Sequence, residues 1–171
     1  TIQNVAARAG VTVGGVQHHF NSKSQLLEGV LKDSFQTMAF DLNNVPIQGK
    51  SLRERVELFV DECWEHCNSS AFQASMQILR GLRNESPQEL DKWLDVSLSS
   101  TVTQGRKFWL KMFSEIKLPQ AEHHKLLNFV FSSLNGVVSF SRINQQPSRV
   151  DSDLRQLKAL LLLRFEKALQ A

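Results

Sequence analysis

The chain has 171 residues, of which 42% are hydrophobic and 22% charged, so it can bury the core of one compact domain or of a small domain joined to a larger one. Its formal net charge is +3, and its two cysteines exclude a disulfide framework. With no signal peptide pattern at the start and no apolar run long enough to cross a bilayer, we expect a reducing, cytoplasmic location and no membrane partner.

The first residues predict a helix, a tight turn and a second helix. Thr1 can cap a helix that runs to Ala9, and Gly10 suits the left-handed residue that ends it. Thr12 is a good cap for a second, short helix, whose buried side would be Val13, Val16 and Phe20. This is the helix-turn-helix arrangement that places a recognition helix in the major groove of DNA.

The same stretch carries groups that suit DNA contact. Residues 1–27 contain Arg8 and Lys23 and no acidic side chain. Several hydrogen-bonding side chains are available to phosphates or base edges, namely Thr1, Gln3, Thr12, Gln17, His18 and His19.

The pattern T-I-x-x-V-A-x-x-A-G-V-T-x-G-x-V-x-x-H-F-x-S-K-x-x-L-L, from Thr1 to Leu27, resembles the helix-turn-helix signature of the TetR/AcrR family of bacterial transcriptional regulators. The resemblance implies an all-α, dimeric protein that binds palindromic double-stranded operators and is released by a small ligand. It also implies base-edge or nearby backbone contacts from Gln3, Thr12, Val13, Gly14 and Gly15, and phosphate contacts from Gln17, His19 and Lys23. His18 joins this set as a further hydrogen-bonding group.

Two positions depart from the family pattern. The family usually has Tyr at the position of Gln17, and Thr or Ser at the position of Gly15. The Gly14-Gly15 pair costs the recognition helix roughly 1–2 kcal/mol of helix propensity. The resemblance also implies that the chain starts at the second helix of the family's DNA-binding domain, so we expect the family's first helix to be missing.

The rest of the sequence predicts helices throughout. A helix from Leu26 to about Leu42 leads to a loop rich in turn formers, so we predict a DNA-binding domain at 1–45 and an effector-binding and dimerisation domain at 46–171. Ser51 and Glu54 form a capping box for the next helix. Further helices are predicted at 71–84, from Pro87 to about residue 115, and from Pro119. A polar loop at 143–152 precedes a last helix, which Asp151 or Ser152 would cap.

The last two predicted helices carry more apolar residues than one small chain can cover. A two-fold dimer would supply the partner face, and the family resemblance implies the same four-helix interface. A well-packed monomeric core is the alternative. The residues that we predict at the interface are Phe131, Leu134, Val138, Leu157, Leu161 and Phe165.

Large aromatic and methionine side chains lie on the apolar faces of three successive helices. Such side chains suit the walls of a pocket for a hydrophobic or amphipathic effector, and they are equally the material of a core. We expect at least two of them to touch a pocket. The set is Trp64, Met76, Trp93, Phe108, Trp109 and Met112.

Other reactive residues give weaker signals. Cys63 and Cys67 lie four apart on one helix face, and two buried reduced thiols are the commoner arrangement, with redox or metal sensing as the alternative. Adjacent histidines, as in the His123-His124 pair, point to different helix faces and make poor chelates, and we expect that pair to be exposed at a helix start. We predict no metal, no cofactor and no enzyme activity, since no catalytic motif occurs.

Together these patterns predict a ligand-responsive transcriptional regulator, specifically a repressor that binds its operator as a dimer. The alternative is a dimeric helical module that binds or sequesters a small molecule and has weakened DNA reading.

Overall fold

The computed structural model describes residues 1–43, 45–94, 99–144 and 146–170, and within these ranges the chain forms nine α-helices and no strand. The helices are α1 Ile2–Ala9, α2 Val13–His19, α3 Lys23–Asn43, α4 Leu52–Asn68, α5 Ser70–Glu85, α6 Pro87–Trp93, α7 Ser99–Met112, α8 Gln120–Asn144 and α9 Pro147–Gln170. The all-α prediction is confirmed.

Helix α3 joins the short helices α1 and α2 to the remaining helices. Leu31, Ser34 and Phe35 are buried where α3 packs against α5 and α7. The predicted boundary at residue 45 therefore follows a helix of the first predicted domain that already packs against helices of the second. The side chains of Met38 and Leu42, predicted on the apolar face of this helix, lie outside the described residues.

The core lies between α4, α7, α8 and α9 and is centred on a cluster of aromatic rings. Trp109 is fully buried, with its ring centroid 5.0 Å from that of Phe59 and 4.7 Å from that of Phe113. Phe165 of α9 lies 4.7 Å from Phe113. These edge-to-face and tilted geometries are the favoured ones for aromatic pairs, so the cluster fixes α9 against α4 and α7.

Several predicted helix ends are confirmed. Ser51 and Glu54 form the capping box: the Ser51 hydroxyl accepts from the Glu54 amide at 3.3 Å, and the Glu54 carboxylate accepts from the Ser51 amide at 2.7 Å. Pro87 opens α6, as predicted. The predicted long helix from Pro87 is described as α6 and α7, and residues 95–98 between them lie outside the described residues.

The predicted start of the last helix was wrong. Helix α9 begins at Pro147, and neither Asp151 nor Ser152 caps it. Proline lacks an amide proton and has a helical φ, so the first turn of a helix accepts it readily. Residues 143 and 144 still belong to α8, and the polar residues 147–152 form the first turns of α9.

Helix α8 is long and apolar enough to cross a membrane by length and composition alone. This differs from the expectation that no apolar run in the sequence has that length. A core helix passes the same test, and α8 turns Leu127, Val130, Leu134 and Val138 into the interior of the protein.

Candidate nucleic-acid interface

The turn between α1 and α2 is held by hydrogen bonds between close neighbours in sequence. The Thr1 hydroxyl accepts from the Asn4 amide at 3.3 Å and caps α1. Gly10 ends the helix with φ at 66°, a left-handed conformation that a side chain would strain. The Val11 amide then donates to the Ala6 carbonyl at 3.1 Å, which closes the turn.

Helix α2 has one buried side and one exposed side. The Thr12 hydroxyl accepts from the Gly15 amide at 3.0 Å and caps the helix, as predicted. Val16 is 7% exposed and packs inward. Gln17, His18 and His19 face solvent. The outward face of α2 is therefore polar and free to enter a groove.

A glycine on α3 lets the end of α2 approach closely. A Cβ placed at Gly29 would lie 3.0 Å from the Cε1 atom of the Phe20 ring. The ring of Phe20 therefore packs closely on α3 at Gly29, and a larger residue there would require the ring to shift. The sequence analysis predicted Phe20 as buried with α2 but missed Gly29, since a helix-interior glycine gives no local signal of its tertiary neighbour.

Two local hydrogen bonds stabilise the start of α3. The Ser22 hydroxyl accepts from the Gln25 amide at 3.1 Å, and the Gln25 side chain accepts from the Asn21 amide at 2.9 Å. Lys23 is the first residue of α3 and is exposed. Its place in the sequence, shortly after the end of α2, suits a phosphate contact.

The predicted DNA-contact residues lie on α1, on α2 and at the start of α3 or beside these helices, and none of them is buried. Val13 and Gly15 are partly exposed, and the others face solvent. Gly14 and Gly15 can offer only backbone or close-approach contacts. The exposed members are Thr1, Gln3, Thr12, Gly14, Gln17, His18, His19 and Lys23.

The residues predicted at the dimer interface are placed differently from that expectation. Phe131 is partly buried and packs against the core. The other five are 5% exposed or less and lie inside the single chain, where a partner cannot reach them. The sequence pattern marked the most apolar face of each helix, and that face is used by the chain's own core. The five residues are Leu134, Val138, Leu157, Leu161 and Phe165.

The predicted pocket residues divide into two groups. Phe108, Trp109 and Met112 of α7 are at most 2% exposed and belong to the core. Trp64, Met76 and Trp93 are partly buried at its edge. Met76 lines a cleft between α5 and α6, whose other lining residues the sequence analysis missed.

His123 and the two cysteines are buried in the helices that follow α3. The Trp109 indole donates to His123 Nδ1 at 3.0 Å, and His123 Nε2 lies 3.1 Å from the Ile116 carbonyl. The expectation that His123 is exposed was wrong, because α7 supplies a buried hydrogen-bond partner. Burial raises the pKa of the Cys67 thiol to about 12, and burial together with neighbouring Cys67 raises that of Cys63 well above its usual range. Both thiols are therefore protonated at neutral pH, which disfavours redox or metal chemistry.

Comparisons with known proteins agree with this geometry. Residues 1–30 match the family model described as bacterial regulatory proteins, tetR family. The chain is also similar to the crystal structure of a transcriptional regulator from Rhodococcus sp. Rha1, with a TM-score of 0.70 and 18% identity, over 95% of this chain and 85% of that one. A search of curated proteins found no match. At this identity the structural likeness shows the fold, and the family match covers the helix-turn-helix unit.

Residues 1–30 form a helix-turn-helix unit of the class found in DNA-binding regulators of transcription. Within that class, the unit matches that of the tetR family of bacterial regulatory proteins, and the chain as a whole shares its fold with the Rhodococcus regulator.

Proposed function

We propose that this protein is a transcriptional regulator of the tetR family, specifically a repressor that binds a palindromic operator as a homodimer in the cytoplasm and is released by a small-molecule effector. The observation that carries the proposal is the exposed face of α2. It is polar, lies in a stretch without acidic residues from 1 to 27, and is held in position by the Thr12 cap. Such a face suits a recognition helix in a major groove, where phosphate attraction supplies much of the affinity.

The proposed dimer uses an apolar surface that remains exposed on α8 and α9. On α8, Phe129, Phe140 and Ile143 are 50, 44 and 77% exposed, and their spacing puts them on one face of the helix. On α9, Leu160 and Leu163 are 54 and 51% exposed. A monomer gains nothing from exposing these five side chains together, and a second copy would remove them from water. We call this set the apolar face.

The proposed switch acts through α3. The ring centroid of Phe35 on α3 lies 6.2 Å from those of Phe72 on α5 and Trp93 on α6. An effector that shifts α5 or α6 would therefore move side chains that touch the helix carrying Lys23 at its first residue. DNA affinity falls by the ratio of the effector's affinities for the two states.

The proposal is tested by selecting bound sequences from a random pool of DNA duplexes. We expect an enriched palindrome whose half-sites are about one helical turn apart, roughly 34–36 Å. Folded, dimeric protein without an enriched motif would instead favour the binding or sequestration module, for which Gln17 and Gly15 already depart from the family pattern.

A matched pair of variants tests the role of the DNA-binding unit. Lys23→Ala should weaken binding to all sequences about equally and lower the salt dependence by about one counterion per protomer. Lys111→Ala, which removes an equally exposed charge from α7, should leave DNA affinity and its salt dependence unchanged. Equal effects of the two substitutions would show that net charge, and not the α2 surface, drives binding.

A further inference from the structure

A cleft between α5 and α6 has a mixed apolar and cationic lining. Its volume is about 500 Å³, within the usual range of small-molecule sites. It is lined by Met76, Leu79, Arg80, Arg83, Asn84, Leu90 and Leu94.

The polar part of the lining is positive. Arg83 forms an ion pair with Asp91 at 2.8 Å, so part of its charge is already matched. Arg80 is exposed, and no carboxylate among the described residues pairs with it. Asn84 adds an amide that can donate hydrogen bonds beside these arginines. The polar edge of the cleft can therefore donate hydrogen bonds to an anion.

The remaining lining is apolar. Met76 and Leu79 come from α5, Leu90 from α6, and Leu94 follows α6 directly. Their side chains offer aliphatic and thioether surface, and none of them carries a hydrogen-bond donor for a ligand. An aliphatic chain, rather than a second charged group, fits this part of the cleft.

From this juxtaposition we infer that the cleft binds an amphipathic anion, with a carboxylate-like head at Arg80 and an aliphatic tail on Met76, Leu79, Leu90 and Leu94. This inference rests on the proposed function, because it names the chemical class of the effector. It narrows the sequence-based expectation of a hydrophobic or amphipathic effector to one that carries a negative charge.

The position of the cleft connects it to the DNA-binding unit. Leu90 of the cleft and Trp93 belong to the same helix, α6, and the Trp93 ring contacts Phe35 of α3. A tail inserted between α5 and α6 would separate the helices that hold Phe35. The effect on α3 gives the ligand a route to the recognition helix.

The binding step is tested by isothermal titration calorimetry of the full chain without DNA. The probe is decanoate, with decanol as the uncharged analogue and butanoate as the short-chain analogue. Decanoate should bind at least about tenfold more tightly than either analogue, since each lacks one of the two contacts. Equal affinities for decanoate and decanol would overturn the assignment of an anion site.

Three variants locate the site. Arg80→Gln should weaken decanoate binding about tenfold. Asp91→Asn, which releases Arg83 from its ion pair, should strengthen it about threefold. Arg53→Gln, an exposed position on α4, should change nothing. A loss of affinity at Asp91→Asn, or an equal loss at Arg53→Gln, would overturn the cleft as the site.

The effector role is tested separately with fluorescently labelled operator DNA. Release of DNA by decanoate from the wild-type chain, but not from Arg80→Gln at the same concentration, supports the inference. Decanoate binding that leaves DNA affinity unchanged overturns the effector role. Failure of the chain to bind any selected DNA, with decanoate binding intact, would overturn the proposed function and not the anion site.

Discussion

The DNA-binding unit, residues 1–30, and the helical body, α4 to α9, are stabilised by contacts that span different distances along the sequence. In residues 1–30 the side-chain hydrogen bonds join near neighbours, as between Thr12 and Gly15 or Ser22 and Gln25. In the remaining helices some of them also join distant segments: Lys158 of α9 donates to Asp61 of α4 at 2.6 Å, and Arg142 of α8 donates to the Asn68 carbonyl at 3.1 Å. The two regions therefore depend on different information.

This difference explains where sequence reasoning succeeded. Caps and turns act over three or four residues, so their residue types predict the local backbone geometry of α1 and α2. In the body, several helices compete for the same apolar side chains, and packing decides which face is covered.

The largest effect on stability is expected at Phe165, because this residue lies in the core and not on the apolar face. Phe165 is fully buried in the aromatic cluster, so Phe165→Ala should lower the free energy of unfolding by about 3–5 kcal/mol in urea denaturation. A small effect on unfolding with complete loss of the dimer would return Phe165 to the interface.

The matched change on the apolar face is Leu160→Ser. Leu160 lies on the same helix and is 54% exposed in the single chain. The substitution should cost less than about 1 kcal/mol in the stability of the monomer. It should shift the monomer–dimer equilibrium toward monomer in analytical ultracentrifugation. An unchanged dimer would show that α9 does not contribute this face.

Gly29 and Gly81 test the contact between Phe20, at the end of α2, and helix α3. Both are helix-interior glycines, so alanine brings each about the same gain in helix propensity, up to 1 kcal/mol. A Cβ at Gly81 meets no atom within 4 Å, whereas one at Gly29 lies 3.0 Å from Phe20. We expect Gly81→Ala to raise Tm and Gly29→Ala to reduce DNA affinity. Equal gains in Tm with unchanged DNA binding would mean that Phe20 moves aside freely.

Loss of the cap at Thr12 should have a smaller and purely local effect. Thr12→Ala removes the hydroxyl that accepts from the Gly15 amide, which costs about 1 kcal/mol of helix stability. Because α2 already carries two glycines, we expect faster amide hydrogen exchange in α2 and weaker DNA binding, with exchange in α4 and α9 unchanged. Thr12→Ser, which keeps the hydroxyl, should restore both properties.

The buried thiols predict an effect that is absent at neutral pH. Burial raises the pKa of the Cys67 thiol from about 9.0 to about 12, and that of Cys63 also rises. The unfolded chain therefore loses these protons at lower pH than the folded chain does. The stability that the neutral thiols contribute is complete below about pH 9 and is lost as the pH rises toward 12.

Thermal unfolding across this range provides the measurement for the thiols. The double variant with Cys63→Ala and Cys67→Ala should have a lower Tm at neutral pH but a shallower fall in Tm above pH 9 than the wild type. Parallel curves would mean that the thiols ionise alike in the folded and unfolded chains.

The sequence by itself determined the DNA-binding unit. Thr1, Gly10 and Thr12 fix helix ends through bonds to residues three or four positions away, and such bonds need no tertiary partner. The family pattern carried by those residues, the all-α class and the Ser51–Glu54 cap were readable for the same reason.

Only the tertiary structure decided how the apolar and cationic side chains are used. Periodicity could not tell whether Phe165 or Leu160 faces a partner, because both lie on one strongly apolar helix and the choice depends on α4, α7 and α8. It could not bring Arg80 and Leu90 to one cleft, or set Phe20 on Gly29. Each of these contacts joins different helices, and their packing is a property of the whole chain.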